Sequence, residues 1–122
     1  MALNEFGKEK WQSGIQKETA LNAGVARNLD LSSFKQYKPF VRLRLENKNT
    51  TITLRVAING VALGDNSITD DFGELISIDL LPSSILEIEP KDNMYIYSIA
   101  IKNTDASTNT SNDEIVWQVA NF

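Results

Sequence analysis

From Thr19 onward, apolar and polar side chains alternate with a period of two. Leu21, Ala23 and Val25 alternate with polar or small neighbours, and Leu29 and Leu31 resume the phase after Arg27. Val41, Leu43 and Leu45 share one face, while Arg42, Arg44 and Glu46 share the other. The pattern recurs at Ile52, Leu54, Val56 and Ile58, at Ile76, Ile78 and Leu80, and at Ile115, Trp117 and Val119. It also places Tyr95, Tyr97, Ile99 and Ile101 on one face. Successive side chains of a strand point to opposite sides, so alternation marks strands with one face buried and one in water. No window of a dozen residues after Thr19 keeps a helical stripe.

This pattern predicts about eight strands, near 19–31, 39–47, 51–58, 61–65, 74–81, 84–89, 94–102 and 113–120. The connections are too short for the crossover helices that a parallel sheet needs. An all-β fold follows: an antiparallel β-sandwich of about eight strands, with a jelly-roll-like arrangement preferred over an immunoglobulin-like one. Asn59-Gly60 is a strong hairpin signal, because both residues tolerate the positive φ of a type I′ turn. A two-residue loop there pairs Ile58 with Val61 and Val56 with Leu63. The run from Asn103 to Asn112 is expected to be an exposed polar loop.

Residues 1–18 differ. Leu3, Phe6, Trp11 and Ile15 stand among Glu, Lys and Gln without a clean period, and Gly7 and Gly14 weaken any helix. The expected division is an N-terminal assembly arm over 1–18 and a single sandwich domain over 19–122. The arm's charges interrupt any apolar run, so the segment gives no sign of a signal peptide or a membrane span. The expectation is synthesis in the cytoplasm.

The chain of 122 residues has neither cysteine nor histidine. That excludes thiolate nucleophiles, sulfur-ligated metals and imidazole bases, which leaves few routes to catalysis. Glu87, Glu89 and Asp79 are the nearest approach to a carboxylate pair, and they read as the solvent face of ordinary strands. No enzyme and no cofactor are expected. Asp65, Asp70, Asp71 and Glu74 are weak candidates for holding Ca²⁺, since hard oxygen donors cluster there without the spacing of an EF-hand.

Charge is uneven along the chain. The net charge is −4, but residues 1–60 hold ten basic and five acidic side chains, and residues 61–122 hold two basic and eleven acidic. The halves therefore carry +5 and −9. The two halves could interleave and pair within one fold, or they could meet across contacts between copies. Arg42, Arg44 and Arg55, with Phe40, are expected on one outer sheet face, as a surface complementary to the acidic half. An acidic total argues against nucleic acid as the partner. Tyr95, Tyr97, Trp117 and Phe122 could stack on sugar rings, although Tyr97 and Trp117 lie in the core phase.

The chain carries no family motif. In layout, a small all-β domain behind an arm resembles the single jelly-roll and related sandwich proteins that build viral shells, spikes and filaments. That resemblance implies a non-enzymatic, self-assembling structural protein: a capsid, spike, decoration or filament subunit of a virion. Its partners would be copies of itself and other structural proteins. The alternative is a carbohydrate-binding β-sandwich module.

Overall fold

A computed structural model describes residues 11–64, 67–70 and 76–121. Ten strands are described: β1 (Gln16–Lys17), β2 (Ala26–Asn28), β3 (Arg42–Asn47), β4 (Leu54–Ile58), β5 (Gly60–Leu63), β6 (Ser67–Asp70), β7 (Ile76–Leu80), β8 (Ser84–Ile88), β9 (Ile99–Asn103) and β10 (Ile115–Ala120). Eight of them form two four-stranded antiparallel sheets, β1-β10-β3-β8 and β2-β9-β4-β7, and β5 and β6 form a separate hairpin. The protein is an all-β antiparallel sandwich.

Alternation places the core. Leu43 and Leu45 of β3, Leu54, Val56 and Ile58 of β4, Ile99 and Ile101 of β9, and Ile115, Trp117 and Val119 of β10 are buried between the sheets. Apolar burial of this kind is the main force holding two such layers together. A short 3-10 segment over Ser32–Tyr37 brings Phe34 edge-on to Trp117, with ring centroids 6.4 Å apart. The Trp117 indole N–H donates to Glu18 Oε2 at 2.8 Å, which satisfies its one polar atom.

The Asn59-Gly60 hairpin does not form. Asn59 does take a positive φ of 62°, but both edges of β4 are occupied, by β7 and β9. β5 therefore cannot fold back on β4. It pairs instead with β6, which falls between the predicted strands 61–65 and 74–81, and lies against β2 and β9. The Asn28 side chain fastens it there, accepting from the Ala62 N–H at 2.7 Å and donating to the Ala62 carbonyl at 3.3 Å.

Two other expectations change. Within 19–31 only Ala26–Asn28 is strand, and the preceding segment is held by side chains from the polar run. The Leu21 N–H donates to Thr110 Oγ1, the Ala20 N–H to Asn112 Oδ1 and the Ala23 N–H to Asn109 Oδ1, all between 2.8 and 2.9 Å. The expected polar loop is thus a partner for this segment, and Thr110 is buried. Short polar side chains take the place of ladder carbonyls, which a hydropathy pattern does not distinguish from a solvated loop. Second, Tyr97 faces outward and Ile96 inward, so the phase expected over 95–101 breaks at Ser98.

Candidate functional site

The β8–β9 connection builds one wall of a concave surface. Pro90–Asp92 form one 3-10 turn closed by a reciprocal box, in which Asp92 Oδ2 accepts the Glu89 N–H at 2.8 Å. Asn93 then takes the left-handed conformation, at φ 55° and ψ 43°, and its N–H returns to the Pro90 carbonyl at 3.0 Å. Asn tolerates this region better than most residues, so the turn ends there. Phe40 and Ile96 next exchange both backbone hydrogen bonds, which turns Ile96 into the core.

Asn59 fixes what lies on either side of Ile96. Its buried side chain donates to the Tyr95 carbonyl at 2.9 Å and accepts from the Tyr97 N–H at 2.7 Å. The two tyrosines flanking an inward residue must point outward, and Tyr95 is 56% and Tyr97 37% exposed. Their side chains, with Met94, wall a cleft of about 650 Å³. Asn93 and Asp92 border it on the same segment, and Asn59 and Ile76 border it from the ends of β4 and β7. Asp92 is the one charged residue among those described in its lining. A shallower hollow of about 300 Å³ beyond Tyr97 holds Lys35 and Lys38.

The rings expected to act together are divided. Trp117 is a core residue, Phe122 lies outside the described residues, and only Tyr95 and Tyr97 share a surface. The break Pro90-Lys91-Asp92-Asn93 beside a Tyr-x-Tyr pair was the one signal that could have located this cleft.

The three arginines are not on one face. Arg42 and Arg44 lie on β3 and Arg55 lies on β4, in the opposite sheet, because the chain crosses between layers after Asn47. Phe40 is wholly buried and contributes nothing to an outer platform. Arg44 pairs with Glu46 at 3.7 Å and Glu87 at 3.6 Å, and Arg55 with Asp79 at 3.2 Å. Glu87 and Asp79 belong to the acidic half, so basic and acidic halves interleave and pair within one molecule here. Half-exposed pairs of this kind contribute about 0–1 kcal/mol each.

Of the expected arm, Leu3 and Phe6 lie outside the described residues. The described part joins its own sheet: β1 pairs with β10, and Ser13 exchanges bonds with Val119 through its N–H and Oγ. Trp11 is half-buried and lines a small hollow with Arg42 and Glu87, and Ile15 is exposed. Asp65, Asp71 and Glu74 of the weak calcium candidates also lie outside the described residues, and Asp70 ends β6. Among the described residues no group of three acidic side chains is placed to hold a metal ion, and no helix is long and apolar enough to cross a membrane.

Two exposed aspartates have carboxyls held below the ordinary range by hydrogen bonds. The Ser32 hydroxyl and N–H bind Asp30, and the Ser107 and Thr108 N–H groups bind Asp105. Both order local turns rather than a reactive centre.

Comparison of the chain with protein-family models, with curated proteins and with solved structures finds no match.

Proposed function

We propose that this chain is a non-enzymatic structural protein that assembles with copies of itself, a jelly-roll subunit of a virion shell, spike, decoration or filament. Strand order supports the jelly-roll reading. With the β5–β6 hairpin set aside and the remaining strands counted in chain order, the sheets run 1-8-3-6 and 2-7-4-5. First pairs with last, second with seventh, third with sixth and fourth with fifth. One long antiparallel ribbon rolled on itself has this order, whereas an immunoglobulin-like sandwich groups its strands differently. Jelly rolls serve as shell and lectin domains alike, so fold alone does not select the function.

The observation that carries assembly is the flank formed by β7 and β8. Each ends its sheet, and no described strand pairs with its outer edge. An unpaired edge offers a row of backbone donors and acceptors to another chain, and soluble proteins commonly defend it with Lys, Pro or a bulge. Neither Ile76–Leu80 nor Ser84–Ile88 contains a Lys or a Pro. Instead, Leu81 is 59% and Ile85 45% exposed on this flank. A contact of the flank with itself, about a two-fold axis, would cover both edges at once. The carboxylates considered for catalysis support a non-enzymatic role, since Glu87 and Asp79 are paired with arginines on opposite sheets.

Sedimentation or light scattering against concentration tests this. The wild-type mass should rise above that of the monomer, and Ile85→Lys should return it to the monomer without lowering Tm, because Lys defends the edge. A wild-type chain that stays monomeric up to about 1 mM, the scale of a weak contact, overturns the proposal.

A further inference from the structure

We infer that the cleft walled by Tyr95 and Tyr97 is a binding site for a neutral saccharide, and that it touches the flank through which copies would meet only at Ile76, the first residue of β7. A sugar ring presents C–H groups on one face and hydroxyls around its rim. Its site therefore needs an exposed aromatic face beside planar polar groups that can meet two hydroxyls together. Tyr95 and Tyr97 supply the first, projected to one side by the Asn59 amide, and Tyr95 keeps over half of its surface in water. Asn93 and Asp92 border the same cleft and supply the second.

The site is held in shape before any ligand arrives. Residues 89–93 are locked by the Glu89–Asp92 box and the left-handed Asn93, and residues 95 and 97 by bonds of 2.7–2.9 Å to one buried side chain. A rigid platform of this kind lowers the ordering cost of binding. The cleft, at about 650 Å³, lies within the range of roughly 300–1,000 Å³ usual for small-molecule sites.

Charge selects the class of sugar. Among the described residues lining the cleft, the only charge is the carboxylate of Asp92, and no cation stands in it. A phosphate, a uronate or a sialate would bring a second negative charge beside Asp92, with no cation among the described lining residues to meet it. A neutral oligosaccharide brings hydroxyls, which Asp92 and Asn93 can accept from and, for the amide, donate to.

The test is saturation-transfer NMR followed by titration with lactose, cellotriose and maltotriose as neutral probes and 3′-sialyllactose as the acidic one. At least one neutral probe is expected to bind with a millimolar Kd or tighter, with transfer from tyrosine ring protons, and more tightly than the sialylated probe. Tyr95→Ala and Tyr97→Ala should each weaken it by about tenfold, while Tyr95→Phe, which keeps the ring, should hold the affinity within about threefold. Both positions lie at the surface, and the three variants should keep the wild-type Tm and the wild-type mass against concentration. Absence of binding by every neutral probe at about 10 mM overturns the inference, since that lies beyond the weakest useful range. So does binding that survives both alanine variants, or tighter binding of the sialylated probe.

Discussion

The two flanks of the sandwich are finished in opposite ways. At the β1/β2 flank both edge strands are very short, and side chains close what the ladders leave open. Glu18 takes the Trp117 indole with one oxygen and Arg27 with the other, and Arg27 donates to the carbonyls of Thr19 and Ala20. Asn103, wholly buried, donates to the carbonyls of Leu21 and Thr108 and accepts from the Asp105 N–H. At the β7/β8 flank the strands are five residues each, and Leu81 and Ile85 stand in water. At the second flank Asn47 donates to the Leu80 and Leu81 carbonyls, and no described strand pairs with the outer edges of β7 and β8. The contrast places stabilising side-chain bonds at one flank and the proposed contact between copies at the other, although the core between them is continuous.

Substitutions can break this contrast. The largest effect is expected from Asn103→Ala, which orphans the Thr108 carbonyl and the Asp105 N–H and leaves the Leu21 carbonyl only the Thr110 N–H. Each buried group left unsatisfied costs about 1–3 kcal/mol, so the loss should be about 3 kcal/mol. That corresponds to a fall in Tm of roughly 10–15 °C for a domain of this size, measurable by thermal denaturation. Glu18→Ala should cost about 2 kcal/mol in denaturant titration, since the buried Trp117 indole and Arg27 lose a shared partner. At the other flank Ile85→Lys should alter domain stability by no more than about 0.5 kcal/mol, being a surface change. Equal losses at the two flanks would erase the distinction.

The smallest effect concerns pH. Asp105 Oδ2 accepts the N–H groups of Ser107 at 3.0 Å and Thr108 at 2.8 Å, which lowers its carboxyl below the usual 3.8. A depressed folded value means that the contribution is fully present above the unfolded pKa and is lost as pH falls through the folded one. The amide resonances of Ser107 and Thr108 should therefore titrate below pH 3.8, with a midpoint under that of an unperturbed aspartate. A midpoint at or above it would show that these bonds do not persist in solution.

Strand phase was legible wherever a strand has ladder partners on both sides. Arg42, Arg44 and Glu46 face out and Leu43 and Leu45 in, as alternation implies, because β3 lies between β10 and β8. What failed depends on partners distant in the chain. The Asn59-Gly60 signal is local, and it gives no sign that β7 and β9 occupy both edges of β4. Tyr97 was misplaced because one buried amide, 38 residues away, resets the phase at Ser98. The 109–112 run looked like solvent because Asn and Thr carry the same pattern whether they bind water or a neighbouring backbone. For the cleft, residue types were visible in Tyr95 and Tyr97, but their outward direction was not.

Hydrogen–deuterium exchange at rising protein concentration tests the division of the flanks most directly. Exchange reports where backbone hydrogen bonds are gained. If the β7/β8 flank is the surface that copies share, peptides covering residues 76–88 should become protected as concentration rises. Peptides over 16–28 and 104–114 should keep the protection they already have. Protection gained at 16–28 alone, or nowhere at concentrations where the mass has risen, would contradict the account.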